Sequence, residues 1–134
     1  MTTYPHRESP QSAILLRPVA SPSVLGYFAL ASALIIYGTW FTGIWGTEKD
    51  TASFFPFLIF FGGIGQLAAA LWGYRARAAA AAAFHGSWGA LWLGVGLIYL
   101  LATTHTITVP ARGEHWASLG QWMIYMSVIS FTTA

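Results

Sequence analysis

Two polar side chains stand out by their surroundings. Gln66 closes the apolar run Phe60-Phe61-Gly62-Gly63-Ile64-Gly65, and His85 follows Phe84 and the alanine run 78–83. An amide in a non-aqueous setting must find hydrogen-bond partners, because an unpaired polar group there costs several kcal/mol. Gln66 could donate to a carboxylate passing by, or bridge two helices. His85 could relay a proton, since its ordinary pKa of about 6.5 lies near physiological pH. It could also ligate a haem or a metal, or remain neutral and bond to a neighbour's carbonyl, which is the commoner fate of such residues. A metal centre is not expected, because His6, His105 and His115 fall in the tail or in a loop and there are no cysteines. Trp88 and Trp92, four residues apart, share a helix face; packing against lipid or another helix is the usual role of such a pair. Arg75 and Arg77 could steer anions, but such pairs ordinarily set topology and bind lipid headgroups. No acidic residue interrupts the apolar stretches and no nucleophile-base set or phosphate loop is visible, so neither an enzyme nor a catalytic cofactor is expected.

The elements that carry these residues follow from composition. Charged residues are 7% of the 134-residue chain and hydrophobic ones 56%, against about 25% charged in soluble domains. So few charges cannot cover a water-exposed surface, and a lipid bilayer must cover much of it. The net charge of +2 is too small and scattered for nucleic-acid binding. Four apolar segments, at about 22–44, 52–72, 78–102 and 116–134, are each long enough to span, given the roughly 20 helical residues that a bilayer core requires. The expected fold is therefore an all-α, polytopic transmembrane bundle with four spanning helices over residues 21–134, after a flexible tail at 1–20.

Pro22 falls where a missing N–H costs nothing, and Pro56 in the first turns of the second segment. Trp40 and Trp45 flank the polar loop Gly46-Thr47-Glu48-Lys49-Asp50 and read as interface anchors. The short loop Tyr74-Arg75-Ala76-Arg77 makes the second and third segments antiparallel neighbours. Arg7, Arg17, Arg75 and Arg77 outweigh Lys49 and Arg112, which places the N-terminus and the second loop in the cytoplasm. Small residues recur at Ala82, Gly86, Ala90 and Gly94, and at Gly62, Gln66 and Ala70. These stripes suit close helix packing, or the lining of a pore or subunit contact. The last segment ends without a polar flank, as an interrupted pattern would.

Three blocks carry a family resemblance. Ser21-Pro22-Ser23-Val24-Leu25-Gly26-Tyr27 resembles the Asn-Pro-Ala-Pro-Leu-Gly-Leu signature of the acetate uptake transporters, the acetate/succinate permeases. Phe61-Gly62-Gly63-Ile64-Gly65-Gln66 resembles their Tyr-Gly-Gly-hydrophobic-Ala-Gln segment, and Ser87-Trp88-Gly89-Ala90-Leu91-Trp92-Leu93 their Ser-Tyr-Gly-Ser-Phe-Trp-Leu segment. The resemblance implies a plasma (inner) membrane protein that moves small carboxylate anions, with proton coupling or as a channel, assembled as a homo-oligomer, a hexamer in the family. It implies a pathway role for Ser21 and Pro22 at an entrance, for Leu30 and Trp88 at a constriction, and for Gln66 within the membrane.

The sequence also departs from the family. Ser21 replaces Asn, Val24 the second Pro, and Gly73 a Glu; Arg77-Ala78 replaces Gly-Asn, and His85 stands where Phe is usual. The family has six helices, so a truncated sequence, or a non-transporting four-helix subunit of a larger complex, is the alternative.

Overall fold

The computed structural model describes residues 20–111, 114 and 116–133. Nearly all of the expected tail, with His6, Arg7 and Arg17, lies outside them, as do Arg112, Gly113 and His115. The described chain is all-α: α1 Ser23–Phe41, α2 Glu48–Arg75, α3 Ala79–Thr103 and α4 Ala117–Thr133. At 1.5 Å per residue, the 25 residues of α3 extend about 37 Å and the 19 of α1 about 28 Å. Among the described residues, α1, α2 and α3 are long and apolar enough to cross a membrane. The 17-residue α4, about 25 Å long, is shorter than the expected fourth span.

The chain runs up and down. Gly26 near the start of α1 meets His85 near the start of α3, and Trp40 at the far end of α1 meets Phe54 of α2 and Tyr99 of α3. α1 and α3 are therefore parallel, with α2 antiparallel to both. α4 returns along α3, from Trp116 beside Tyr99 to Ser130 beside Trp88.

The surface of this bundle is unlike that of a water-soluble one. Phe28, Phe60, Leu71, Ile124 and Phe131 are each at least two-thirds exposed, while Gln66 and His85 are fully buried within a mainly apolar core. Large apolar side chains turned outward over so much of the surface require lipid as the surrounding solvent. The protein is thus a multi-pass membrane protein.

Helix packing rests on missing side chains. Gly62 seats against Ala33 and Trp92, Gly89 against the Gly63 carbonyl and Leu67, Gly96 against Ile59, and Gly73 against Ala82. The packed row on α3 is Ala82, His85, Gly89, Trp92, Gly96 and Tyr99, all buried. This revises the small-residue stripe expected on α3. Ala82 packs, but Ala90 and Gly94 are exposed, and a Cβ on Gly94 would meet nothing within 4 Å. Steps of four residues advance about 400° and drift around the helix, whereas alternating steps of three and four hold one face. The α2 stripe of Gly62, Gln66 and Ala70 is buried throughout.

α2 is not uniform. It opens with a 3₁₀ turn, Glu48–Asp50, capped when the Thr47 backbone N–H and hydroxyl donate to Asp50 Oδ2 at 2.6 and 2.9 Å. An α-helical stretch, Thr51–Phe57, follows; then a π-helical one, Leu58–Gly65; then α-helix again, Gln66–Arg75. Pro56 therefore lies inside the helix rather than in its first turns. It removes one backbone donor just ahead of the widened turns, a recognised setting for a break in helical order.

Trp40 also departs from expectation. It is 5% exposed, and its indole N–H donates to the Thr47 carbonyl at 2.9 Å. It closes the core from beneath the first loop, while Trp45 is 72% exposed.

Candidate functional site

The interior holds two polar regions. The first is the Gln66–His85 pair, toward the end of the bundle where α1 and α3 begin. The Gln66 Nε2 amide donates to the Gly62 carbonyl at 3.1 Å. That contact orients the amide so that Oε1 faces His85 Nδ1, 3.5 Å away. The expected partner for His85, a neighbour's carbonyl, is thus the side-chain carbonyl of Gln66. The ring packs edge-on to Tyr27 and Phe84, with centroids at 5.0 and 5.2 Å, and against the bare Cα of Gly26. His85 is 0% exposed, so its ring leaves no face open for a haem.

The second region is a chamber between α1, α3 and α4, with a volume of about 320 Å³. That is roughly ten times one water's share of the liquid, about 30 Å³. Leu34, Tyr37, Trp88, Trp92, Trp116 and Met123 are among its walls, with one acidic residue, Glu114, whose Oε2 accepts from the Ala111 N–H at 2.8 Å. Two donors in this wall are buried without an ordinary hydrogen bond among the described residues: the Trp92 indole N–H and the Tyr37 hydroxyl. Tyr37 is within electrostatic reach of the Tyr99 hydroxyl but makes no bond of normal length. Its ring stands edge-on to Trp92 at 5.8 Å. Buried polar groups are nearly always paired; these two donors have no exposed surface and lie behind the wall, where a small turn of either ring would open its N–H or O–H to the chamber.

Trp88 is half-buried in the same wall, offset-stacked on Trp92 at 6.2 Å. Its indole N–H donates to Ser130 Oγ at 3.2 Å, and the Ser130 hydroxyl donates in turn to the Met126 carbonyl at 2.8 Å. The ring is thereby tied to α4, which otherwise rests on α3 through the buried Met126.

The other expected pathway residues are placed differently. Leu30 is half-buried on α1 but is not among the chamber's walls; Leu34, one turn further, is. Ser21 is exposed before α1, and Pro22 is the N-cap, its carbonyl accepting from the Gly26 N–H at 3.2 Å. These two share the end of the bundle with Gln66 and His85, away from the chamber. Arg75 and Arg77 are exposed at that same end, Arg77 with a left-handed φ of 56°. Among the described residues, no group of three or more His, Asp or Glu side chains is placed to hold a metal.

Tyr37 was not distinguished by sequence, and Trp92 was read as packing. The signal for both was a side chain with a polar tip at a core-facing position of an uninterrupted apolar helix.

Comparison with curated proteins and with solved structures found no match. A sequence profile of the GPR1/FUN34/yaaH family matches residues 6–133, nearly the whole chain. With the three sequence blocks now seen on α1, α2 and α3, that match places the chain in the GPR1/FUN34/yaaH family, the acetate uptake transporters, a family of transporters rather than enzymes.

Proposed function

We propose that this protein passes small carboxylates, acetate or succinate in class, across the plasma (inner) membrane by way of the aromatic chamber. The observation that carries this reading is the pair of buried donors, Trp92 Nε1–H and Tyr37 O–H, without an ordinary hydrogen bond behind a mainly apolar wall in which Glu114 is the one acidic residue. A carboxylate oxygen is an acceptor they suit once a ring turns toward the chamber. Both donors are neutral, and α1 and α3 contain no Lys or Arg. Conduction requires binding strong enough to admit the ligand and weak enough to release it; neutral hydrogen bonds, worth about 0.5–1.5 kcal/mol each, meet that need where a buried cation would trap an anion.

In this reading Trp88 is the gate, a ring that a partly dehydrated acid can pass and a hydrated ion cannot. Leu34 takes the constriction role expected for Leu30. Gln66 with Ser21 and Pro22 forms the entrance side, cytoplasmic by the arginine bias. Several copies assemble, following the family's pattern. Reconstituted protein should take up labelled acetate above the level of empty vesicles, with unlabelled succinate tested as competitor. Flux equal to that of empty vesicles rejects the proposal.

One observation favours a second reading, a non-transporting subunit of a larger complex. The α3–α4 side is open: a Cβ on Gly94 or Gly120 would meet nothing within 4 Å, and Ala90, Trp122, Tyr125 and Val128 are exposed. Co-purification of an unrelated partner in fixed ratio would favour that reading, and a clean homo-oligomer would count against it.

A further inference from the structure

The chamber leaves the Gln66–His85 pair without a task, although its two side chains are the most deeply buried polar residues in the described core. The pair has a defined proton arrangement. The Gly62 carbonyl can only accept, so the Gln66 group facing it is the amide N–H, and Oε1 is the atom turned to His85. An amide oxygen can only accept, so His85 Nδ1 carries the hydrogen between them. Neutral imidazole has one N–H and one bare nitrogen. Nε2 is therefore the bare one, and it has no hydrogen-bond partner among the described residues.

We propose that His85 Nε2 is a proton-binding site within the membrane, and that its proton accompanies the carboxylate through the transporter. The second clause rests on the transport reading; the first stands on the geometry alone. Uptake of a proton converts the Nδ1–H imidazole to imidazolium, keeps the Nδ1–H bond to Gln66 Oε1, and adds an N–H at Nε2. No fixed anion answers that charge. α1 presents Gly26 and the ring of Tyr27, the one other titratable residue packed against it among the described residues; α2 presents the Gln66 amide; α3 presents Phe84. No Asp, Glu, Lys or Arg occurs in α1, in α3, or between Thr51 and Tyr74. A buried imidazolium so placed is unfavourable by itself and is favoured by an anion nearby. A carboxylate approaching Trp88, one turn along α3, supplies that anion. Proton and carboxylate thus load together, and neither remains when the other leaves.

The test uses the full chain in lipid bilayers with His6, His105 and His115 replaced by Gln, so that His85 is the single ¹⁵N-labelled histidine. Above the usual histidine range, nitrogen resonance should show a protonated Nδ1 and a bare Nε2. Gln66→Leu should abolish that preference. On acidification with acetate present the ring should become doubly protonated, and at a lower pH when acetate is replaced by chloride. A protonated Nε2 at the start, or a ring that stays neutral over the whole range in which the protein stays folded, overturns the site. His85→Asn keeps a donor toward Gln66 and removes the Nε2 acceptor. It should lower acetate uptake most at acidic pH and flatten its pH dependence. An unchanged pH profile in that variant overturns the coupling. If the parent shows no uptake at all, the transport reading fails, and the resonance experiment still decides the proton site.

Discussion

The two polar regions of this bundle are built in opposite ways. Around His85 everything is filled: Gly26 is reduced to its Cα to admit the ring, Gln66 is held by the Gly62 carbonyl, and neither side chain has any exposed surface. Around Tyr37 and Trp92 there is open volume beside two buried donors that make no bond of normal length among the described residues. A tightly packed polar pair can hold a proton, because a proton needs no space. An apolar room with idle donors can hold a molecule. Divided in this way, one small bundle can handle a proton and an acid at separate places, about a turn or two of α3 apart.

Substitutions can break that contrast. The largest effect is expected for Gly26→Ala, whose Cβ would collide with the His85 ring. Overpacking of this kind costs about 1–3 kcal/mol and sometimes more, and should appear as a loss of folded protein in a detergent thermal-denaturation assay. His85→Ala should restore Gly26→Ala, since it removes the clashing ring. Gly38→Ala, with nothing within 4 Å of its Cβ, should be silent in the same assay. Gln66→Leu comes next. It removes the acceptor of the His85 Nδ1–H, a loss of about 1–3 kcal/mol for a buried group left unpaired, measurable as a lower melting temperature.

The chamber should respond in function rather than in stability. Trp92→Phe keeps the ring stack and deletes one neutral donor. Uptake at low acetate should fall about 2- to 10-fold, the equivalent of one hydrogen bond, with little change in melting. Arg77→Gly is a smaller effect of opposite sign. Arg77 occupies a left-handed position at the end of α2, with the Ala78 N–H bonded to the Gly73 carbonyl at 2.9 Å. Relieving its Cβ there should stabilise the protein by about 1 kcal/mol.

Much of the bundle was legible because lipid imposes a coarse rule. Uncharged runs of about 20 residues must be helices, and the short loop around Arg75 had to fold α2 back on α3. The finer features depended on helix phase, which an almost uniformly apolar sequence does not reveal. The Ala82–Gly86–Ala90–Gly94 row looked like the packing face because its residues are small. The face that packs runs through Gly89 and Gly96, chosen by the bulk of Leu67 and Ile59 opposite. The π-helical turns of α2 shift the phase again before Gln66, which no periodicity argument on the sequence anticipates. His85 was singled out because an ionisable residue inside a membrane is costly wherever it lies. Tyr37 was not, because a tyrosine in an aromatic-rich chain looks ordinary until its hydroxyl is seen to be buried and idle.

The most direct measurement is acetate uptake by proteoliposomes carrying equal amounts of folded parent and of the double variant Tyr37→Phe, Trp92→Phe. Both rings stay in place in the variant, so the chamber keeps its walls and loses only its two donors. Flux well above empty vesicles for the parent, and a steep drop for the variant, is the expected result. Equal flux from the two proteins would show that carboxylates do not pass by these donors, and would contradict the assignment of the chamber.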